Sequence, residues 1–370
     1  MSRATVHSSW GAVDAIAWDT LVGDQSPFLE HAWLAGLELS GSAHPATGWH
    51  PRPVLVHDEH QQLVGGAPAW QVDHSRGQYV WEERWVTACA NSDVPYFPKL
   101  VLAVPFTPVI GPRILQKPGH DSWSDVLRGL GEAAKGCHSV HALFPDQRTS
   151  EQMSDRGFFR RRQHQYHWIN QSYPDFDAFL ARFRSARRKE IRRERREVSD
   201  LRFEVYEQPS NEIFDLLWRC YDATVARYED SDRYLTQRFF EYLAEHFAHR
   251  VVAFVAYDDD GPVGAAMNVV KAGRMYGRYW GQLRERRFLH FELCYHQPVE
   301  YAIRRGLVAY EPGHGGEHKF RRGFEPVVTW SNHRFKDRRA QSTFDQYAAR
   351  ERTWMKDHMH TLVERSPFKS

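Results

Sequence analysis

No apolar run in this chain is long enough to cross a bilayer, and residues 1–14 carry no hydrophobic stretch of signal-peptide length. Both absences argue against a membrane-spanning helix and lead to the expectation of a cytoplasmic enzyme. Cysteine is scarce: Cys89, Cys137, Cys220 and Cys294 are the only four in 370 residues, and no two stand in CxxC spacing. That argues against a disulfide frame or a zinc–cysteine centre and fits a reducing compartment. A large excess of one charge is also lacking. The formal net charge is +2, so affinity for polyanions has to be argued locally. What is present is apolar material, 42% of residues, enough for two cores of ordinary domain size. Aromatic residues make up 14%, with 13 tryptophans, which suits large cores and a site that encloses an apolar group.

A faint internal repeat organises the chain. Phe28-Leu29, Trp33-Leu34 and Leu37 match Tyr234-Leu235, Phe239-Phe240 and Leu243, so each half has an amphipathic helix with the same spacing. Strand pairs follow: 54–57 and 63–72 around Asp58-Glu59-His60, then 251–257 and 262–270 around Asp258-Asp259-Asp260-Gly261, a hairpin signal. Later, a strand at 139–144 precedes Gly157-Phe158 and a strand at 165–169, as 307–311 precedes Gly323-Phe324 and 327–332. Each half reads as a mixed α/β sheet layered with helices.

This pattern resembles the GNAT acyltransferase fold, present twice. Four segments make the whole chain similar to the FemAB-like family, whose members are described as GNAT-type or peptidoglycan-biosynthesis acyltransferases. They are Tyr96-Phe97-Pro98-Lys99-Leu100 running on to Pro108, residues 185–194, Tyr276-Gly277-Arg278-Tyr279-Trp280-Gly281, and residues 289–326. The resemblance implies two tandem GNAT-like units of mixed sheets with flanking helices. The first would span 1–172, with an aromatic and proline-rich insertion at about 85–125, within which Tyr96 to Pro108 reads either as a shaped loop over the cleft between repeats or as an ordinary insertion packed on the sheet. The second would span 173–370, begin with a basic helix and be catalytic. His314-Gly315 departs from the family's Ala-Gln before Gly-Glu-His-Lys.

Residues 289–326 hold the densest group of acids, bases and anion binders, at the ends of one short helix, expected at 291–304, and one short strand. Amide formation requires loss of a proton from the amine, stabilisation of an oxyanion and release of a leaving group. Glu292, Glu311, His318 and His290 are the candidates for proton transfer. On the strand 275–281, alternation places Tyr276, Arg278 and Trp280 on one face as a pocket wall. Lys319, Arg322 and Glu317 are candidates for holding substrate. His314 and His318, four apart, with His290, Glu292, His296, Glu311 and Glu317, offer a competing metal shell, but three glycines around His314 favour a turning loop, and no metal is expected. Cys294, one helical turn after His290, reads as a packed small hydrophobe rather than a nucleophile.

The run RFRSARRKEIRRERR at 182–196 is expected on a helix beginning after Pro174-Asp175, with Phe176, Phe179, Leu180, Phe183 and Ile191 as its packing stripe. Arg187, Arg188 and Arg192 would bind phosphates of tRNA or of coenzyme A. A solvated helix neutralised by Glu190, Glu194 and Glu197 is the alternative. Arg284 and Arg287, with Arg286, lie in a loop that lacks the glycine-rich pyrophosphate signature of ordinary GNAT enzymes, which argues against acyl-CoA bound in the usual manner. The function implied is amide-forming aminoacyl or acyl transfer to an amine of a small molecule or peptide. The donor is aminoacyl-tRNA or acyl-CoA, with no tightly bound cofactor. The alternative is a non-catalytic binder of tRNA or a cell-wall precursor on the same fold.

Overall fold

The computed structural model describes residues 2–227 and 233–369. The chain divides into a first unit, Met1–Gln163 with Tyr234–Phe239 and Val328–Asp357, and a second, His164–Arg233 with Phe240–Val327 and His358–Ser370. A single cut after residue 172 therefore misses 328–357, which returns to the first unit.

The first unit carries β1 (Arg3–Val6), β2 (Trp49–Pro51), β3 (Val54–His57), β4 (Leu63–Ala67), β5 (Ala69–Val72), β6 (Lys99–Leu102), β7 (Leu115–Gln116) and β8 (Ser139–Leu143). Its helices are α1 (Ala15–Val22), α2 (His31–Leu39), α3 (Glu83–Ala90), α4 (Trp123–Ala133) and α5 (Gln147–Ser154). The run 63–72, expected as one strand, is broken at Pro68, which has no N–H to give to a ladder. The two pieces join different sheets: β4 pairs with β3 and β7, β5 with β2 and β6. Strand β6 also pairs in parallel with β8. Residues 96–108 are therefore not a loop over a cleft but pack on the sheet, because they contain β6, all four of whose residues are buried. Helix α4 lays Trp123, Val126, Leu130 and Ala133, spaced three or four apart, against Val54, Val56 and Val64. A Cβ on Gly129 would overlap the Val54 side chain, so this close approach needs glycine.

Strand β9 (Phe159–Ile169) carries the chain into the second unit, which continues with α6 (Phe176–Ala181), α7 (Ser185–Arg196), β10 (Arg202–Glu207), α8 (Asn211–Val225) and α9 (Gln237–His246). Then come β11 (Val251–Asp258), β12 (Gly261–Lys271), β13 (Arg274–Gln282), α10 (Leu289–Phe291), a π turn (Glu292–His296), α11 (Gln297–Arg304), β14 (Ala309–Glu311) and α12 (Glu317–Phe320). Strand β15 (Glu325–Phe335) and α13 (Arg338–Glu364) follow, most of each belonging to the first unit. Strands β10 to β13 form an antiparallel meander, β14 adds in parallel to β13, and Trp168 and Ile169 of β9 pair with β14. The expected basic helix is two helices. Asp175 caps the first through the Ala178 amide at 2.7 Å, and the chain breaks before α7, where Phe183 bridges to Phe368. Leu289, Leu293, Val299 and Ile303 pack with Val252, Phe254 and Met275 to form the core beneath the site. Among the described residues no helix is long and apolar enough to cross a membrane.

Candidate active site

Strand β13 pairs in parallel with β14 only over Arg274–Tyr276 and Ala309–Glu311. Beyond these residues β13 stays on β12, while the other strand turns off through Pro312, Gly313, Gly315 and Gly316, all three glycines having positive φ. The carboxyl ends of two parting parallel strands are the usual seat of a ligand in such sheets, which makes this the candidate crevice.

A bulge shapes one wall. Met267 pairs with Tyr279 and Asn268 with Gly277, so Arg278 is the extra residue. The bulge reverses the strand's alternation. Met275 lies in the core, a Cβ on Gly277 would meet the Tyr310 hydroxyl at 2.7 Å, and the Trp280 ring lies 4.5 Å from that of His290. Tyr279 packs on Tyr221 and Gly281 on the Cys220 carbonyl of α8. The expected grouping of Tyr276, Arg278 and Trp280 on one face is thus incorrect: Tyr276 and Trp280 lie on opposite faces.

The helix expected at 291–304 begins at Leu289 and contains the π turn. Pro298 has no N–H for the carbonyl of Cys294, and the Tyr310 hydroxyl takes that acceptor at 2.7 Å, while the Gln297 amide reaches back to Glu292. Such turns recur at functional sites. Here it turns Glu292 and His296 into the buried interior.

Three groupings result. In the crevice, the buried Lys319 ammonium donates to the carbonyls of Gly313 and His314 at 2.8 and 3.0 Å. Burial, opposed by Cys294 and reinforced by Arg278, brings Lys319 down to about 8. In the second grouping, His318 Nε2 shares a hydrogen bond of 2.8 Å with the Tyr295 hydroxyl, and the His290 and His318 rings lie 5.8 Å apart. Burial lowers His290 to about 3 and His314 to about 4, and lowers His318 as well, with Lys319 and Arg322 adding to the effect on His290 and His318. All three imidazoles are neutral near pH 7. Burial raises the Cys294 thiol, which stays protonated, so it packs rather than attacks.

The third grouping braces the other two. Glu194 takes both Arg322 Nε, at 3.0 Å, and Arg322 Nη2, and also His296 Nε2 at 3.1 Å. Burial works against the Glu194 carboxylate, but the His296 hydrogen bond and Arg322 more than offset it and hold the group below its ordinary value. Arg322 also donates to the His318 carbonyl at 2.8 Å and lies 3.3 Å over the Phe291 ring, so it positions His318.

The four residues expected to share proton transfer are thus divided. His290 and His318 are neighbours. Glu292 is held by Arg195 at 3.1 Å and by Gln297 at 2.8 Å, and Arg195 also binds Glu300. Glu311 is held by Arg274 at 3.0 Å, with His167 at 3.8 Å. Glu317 is exposed and faces away from the crevice into a groove with Arg187. Of the phosphate-binding candidates, Arg187 pairs with Glu190, Arg188 donates to the Phe183 carbonyl at 3.2 Å, and exposed Arg192 lies 3.5 Å from Asp177. Arg284 is tied to Asp258 and Arg286 to Asp200, whereas Arg287 is exposed on the Phe288 ring. Glu194 entered only the alternative reading of the basic helix, as one of the acids neutralising it. Its spacing after Ile191 and before Val198 marks it as inward-facing, and that was the available signal. Among the described residues no group of three or more His, Cys, Asp or Glu side chains is placed to hold a metal ion.

The paired mixed sheets, the bulged β13 and the parted β13 and β14 define a tandem GNAT-like protein. FemX superposes with a TM-score of 0.52 at 12% identity, covering 86% of this chain and 96% of that one. The C-terminal domain of a putative lysylphosphatidylglycerol synthetase from Agrobacterium fabrum gives 0.52 at 11%, covering 84% and 91%, and L-PGS from Bacillus licheniformis gives 0.50 at 14%, covering 86% and 95%. The FemAB_like family, described as peptidoglycan biosynthesis/recognition, matches residues 9–370, and the chain belongs to this family. No curated protein matches the sequence.

Proposed function

We propose that the second unit transfers an activated aminoacyl or acyl group to an amine, forming an amide, with aminoacyl-tRNA as the favoured donor. The observation that carries this reading is Lys319 at the crevice. When charged, its ammonium has three protons, and the Gly313 and His314 carbonyls accept two. The third is left for an oxyanion forming between the parted strands, with Arg278 close enough to lower the Lys319 pKa and add positive potential. In the step proposed, the amine nitrogen attacks the donor carbonyl carbon and a C–N bond forms. The C–O bond to the donor breaks, and the proton lost by nitrogen ends on the departing hydroxyl. Neutral His318, oriented by Tyr295 and by the Arg322 contact to its carbonyl, carries that proton. Glu292 and Glu311, each held by an arginine, set the walls.

Two features favour an RNA donor over acyl-CoA. The 283–288 loop spends Arg284 and Arg286 on internal ion pairs, and α7 turns Glu194 inward while leaving Arg192, Arg193 and Arg196 exposed. The test is binding of labelled aminoacyl-tRNA across a salt titration with acetyl-CoA as competitor, followed by amino-acid transfer. Salt-sensitive binding that acetyl-CoA leaves unchanged is expected, together with transfer that Lys319→Met lowers about 100- to 1000-fold while binding persists. No RNA binding at low salt would sink the donor assignment. Binding without transfer, unaffected by Lys319→Met, would make the protein a recognition module.

A further inference from the structure

Helix α12 has two working sides. His318, Lys319 and Arg322 serve the crevice, whereas Glu317, Phe320 and Arg321 line a separate groove of about 460 Å³. The groove lies wholly within the second unit, walled by the start of α7, the end of α13 and the tail after it. Tyr166, Phe320 and Leu362 give it an apolar lining. Four guanidiniums line it, those of Arg184, Arg187, Arg321 and Arg365, against the carboxylates of Glu190 and Glu317.

Arg187 and Glu190 neutralise one another. Arg184 is steadied by the Phe368 carbonyl at 3.2 Å, and among the described residues Arg321 and Arg365 make no ion pair. Three guanidiniums therefore stand against one carboxylate, above an apolar surface. The tail keeps this arrangement in place: the Arg184 amide donates to Pro367 at 3.1 Å, the Lys369 amide to Arg182 at 2.8 Å, and Phe368 packs 4.7 Å from Phe183.

We propose that this groove binds a small phosphate ester whose organic half is flat and apolar, of the size of a nucleoside monophosphate. The surplus of two positive charges matches a phosphate monoester, and guanidinium forks suit its oxygens. The volume falls in the range of small-ligand pockets and is too small for the two acyl chains of a lipid. The site does not depend on which donor the crevice uses.

Titration calorimetry of the full chain with adenosine 5′-monophosphate at low ionic strength tests this. Saturable one-site binding is expected, weakened at least about tenfold by Arg321→Ala with Arg365→Ala. Both positions are exposed, and an unchanged thermal midpoint confirms that the variant folds. Arg365→Gln alone is the milder second variant, with a loss of about threefold or more. Inorganic phosphate should bind at least about tenfold more weakly than the nucleotide, because it leaves the apolar surface uncovered. Absence of binding, binding indifferent to both variants, or equal affinity for free phosphate would each overturn the proposal. Tighter binding of dihexanoyl phosphatidic acid, below its micelle concentration, would overturn the nucleotide assignment.

Discussion

Both units contain a parallel strand pair of the same kind, and the space beyond each pair is treated in opposite ways. Beyond β6 and β8 the chain fills it. Arg113, fully buried, donates to the carbonyls of Leu143, Val109, Gly111 and Pro112, and Gly111 bridges to Pro145. Beyond β13 and β14 the strands part, and among the described residues Lys319 keeps a proton without an acceptor there. Two of the buried lysines differ likewise: Lys99 is paired with Glu82, which also accepts from Tyr96 at 2.7 Å, whereas among the described residues Lys319 has only carbonyls as partners. A polar group whose partners are all internal serves stability. On the proposed reading, one left with spare capacity at the crevice is available to a substrate.

The largest effect should come from breaking the closed side. Glu82→Ala leaves Lys99 buried without its carboxylate and should cost about 3–5 kcal/mol of stability in denaturant unfolding. The folded fraction should transfer at the normal rate, and a selective loss of turnover would erase the contrast between the units. On the open side, Lys319→Met should lower kcat about 100- to 1000-fold while stability at pH 7 changes by less than about 1.5 kcal/mol.

A pH series sharpens the same contrast. Lys319 sits at about 8 in the fold against an ordinary value of 10.5, so between these values the unfolded chain binds more protons than the native one. Stability therefore rises with pH across that window, by at most about 1.4 kcal/mol per pH unit from this group, and Lys319→Met should flatten that rise. The smallest effect belongs to the surface. Arg192→Ala removes an exposed pair with Asp177 and should alter stability by no more than about 1 kcal/mol, yet lower the salt slope of RNA binding by about 1. An unchanged slope would remove Arg192 from the phosphate contacts.

Elements with strong local signals were legible: the hairpin at Asp258–Gly261, the amphipathic α2 and α9, and Gly157 and Gly323 closing short helices. Misplacements came where one residue overruled a period. Pro68 split a strand, the Arg278 bulge reversed the faces of β13, and Pro298 went with a π turn in a helix read as regular. Glu292 and Glu311 looked equivalent to His318 because all are ionisable and near in sequence. Their arginine partners come from α7 and from the opposite end of β13, which proximity along the chain does not reveal.

By itself, the sequence determined the alternation of helices and strands, the doubling of the unit and the segment bearing the ionisable cluster, because periodicity and turn chemistry are local properties. Only the tertiary structure decided that Glu194 faces Arg322 and His296, that β13 and β14 part beside Lys319, and that α12 serves two concavities. Those outcomes depend on how elements far apart in sequence cross, and on which buried charge must find a partner where they do.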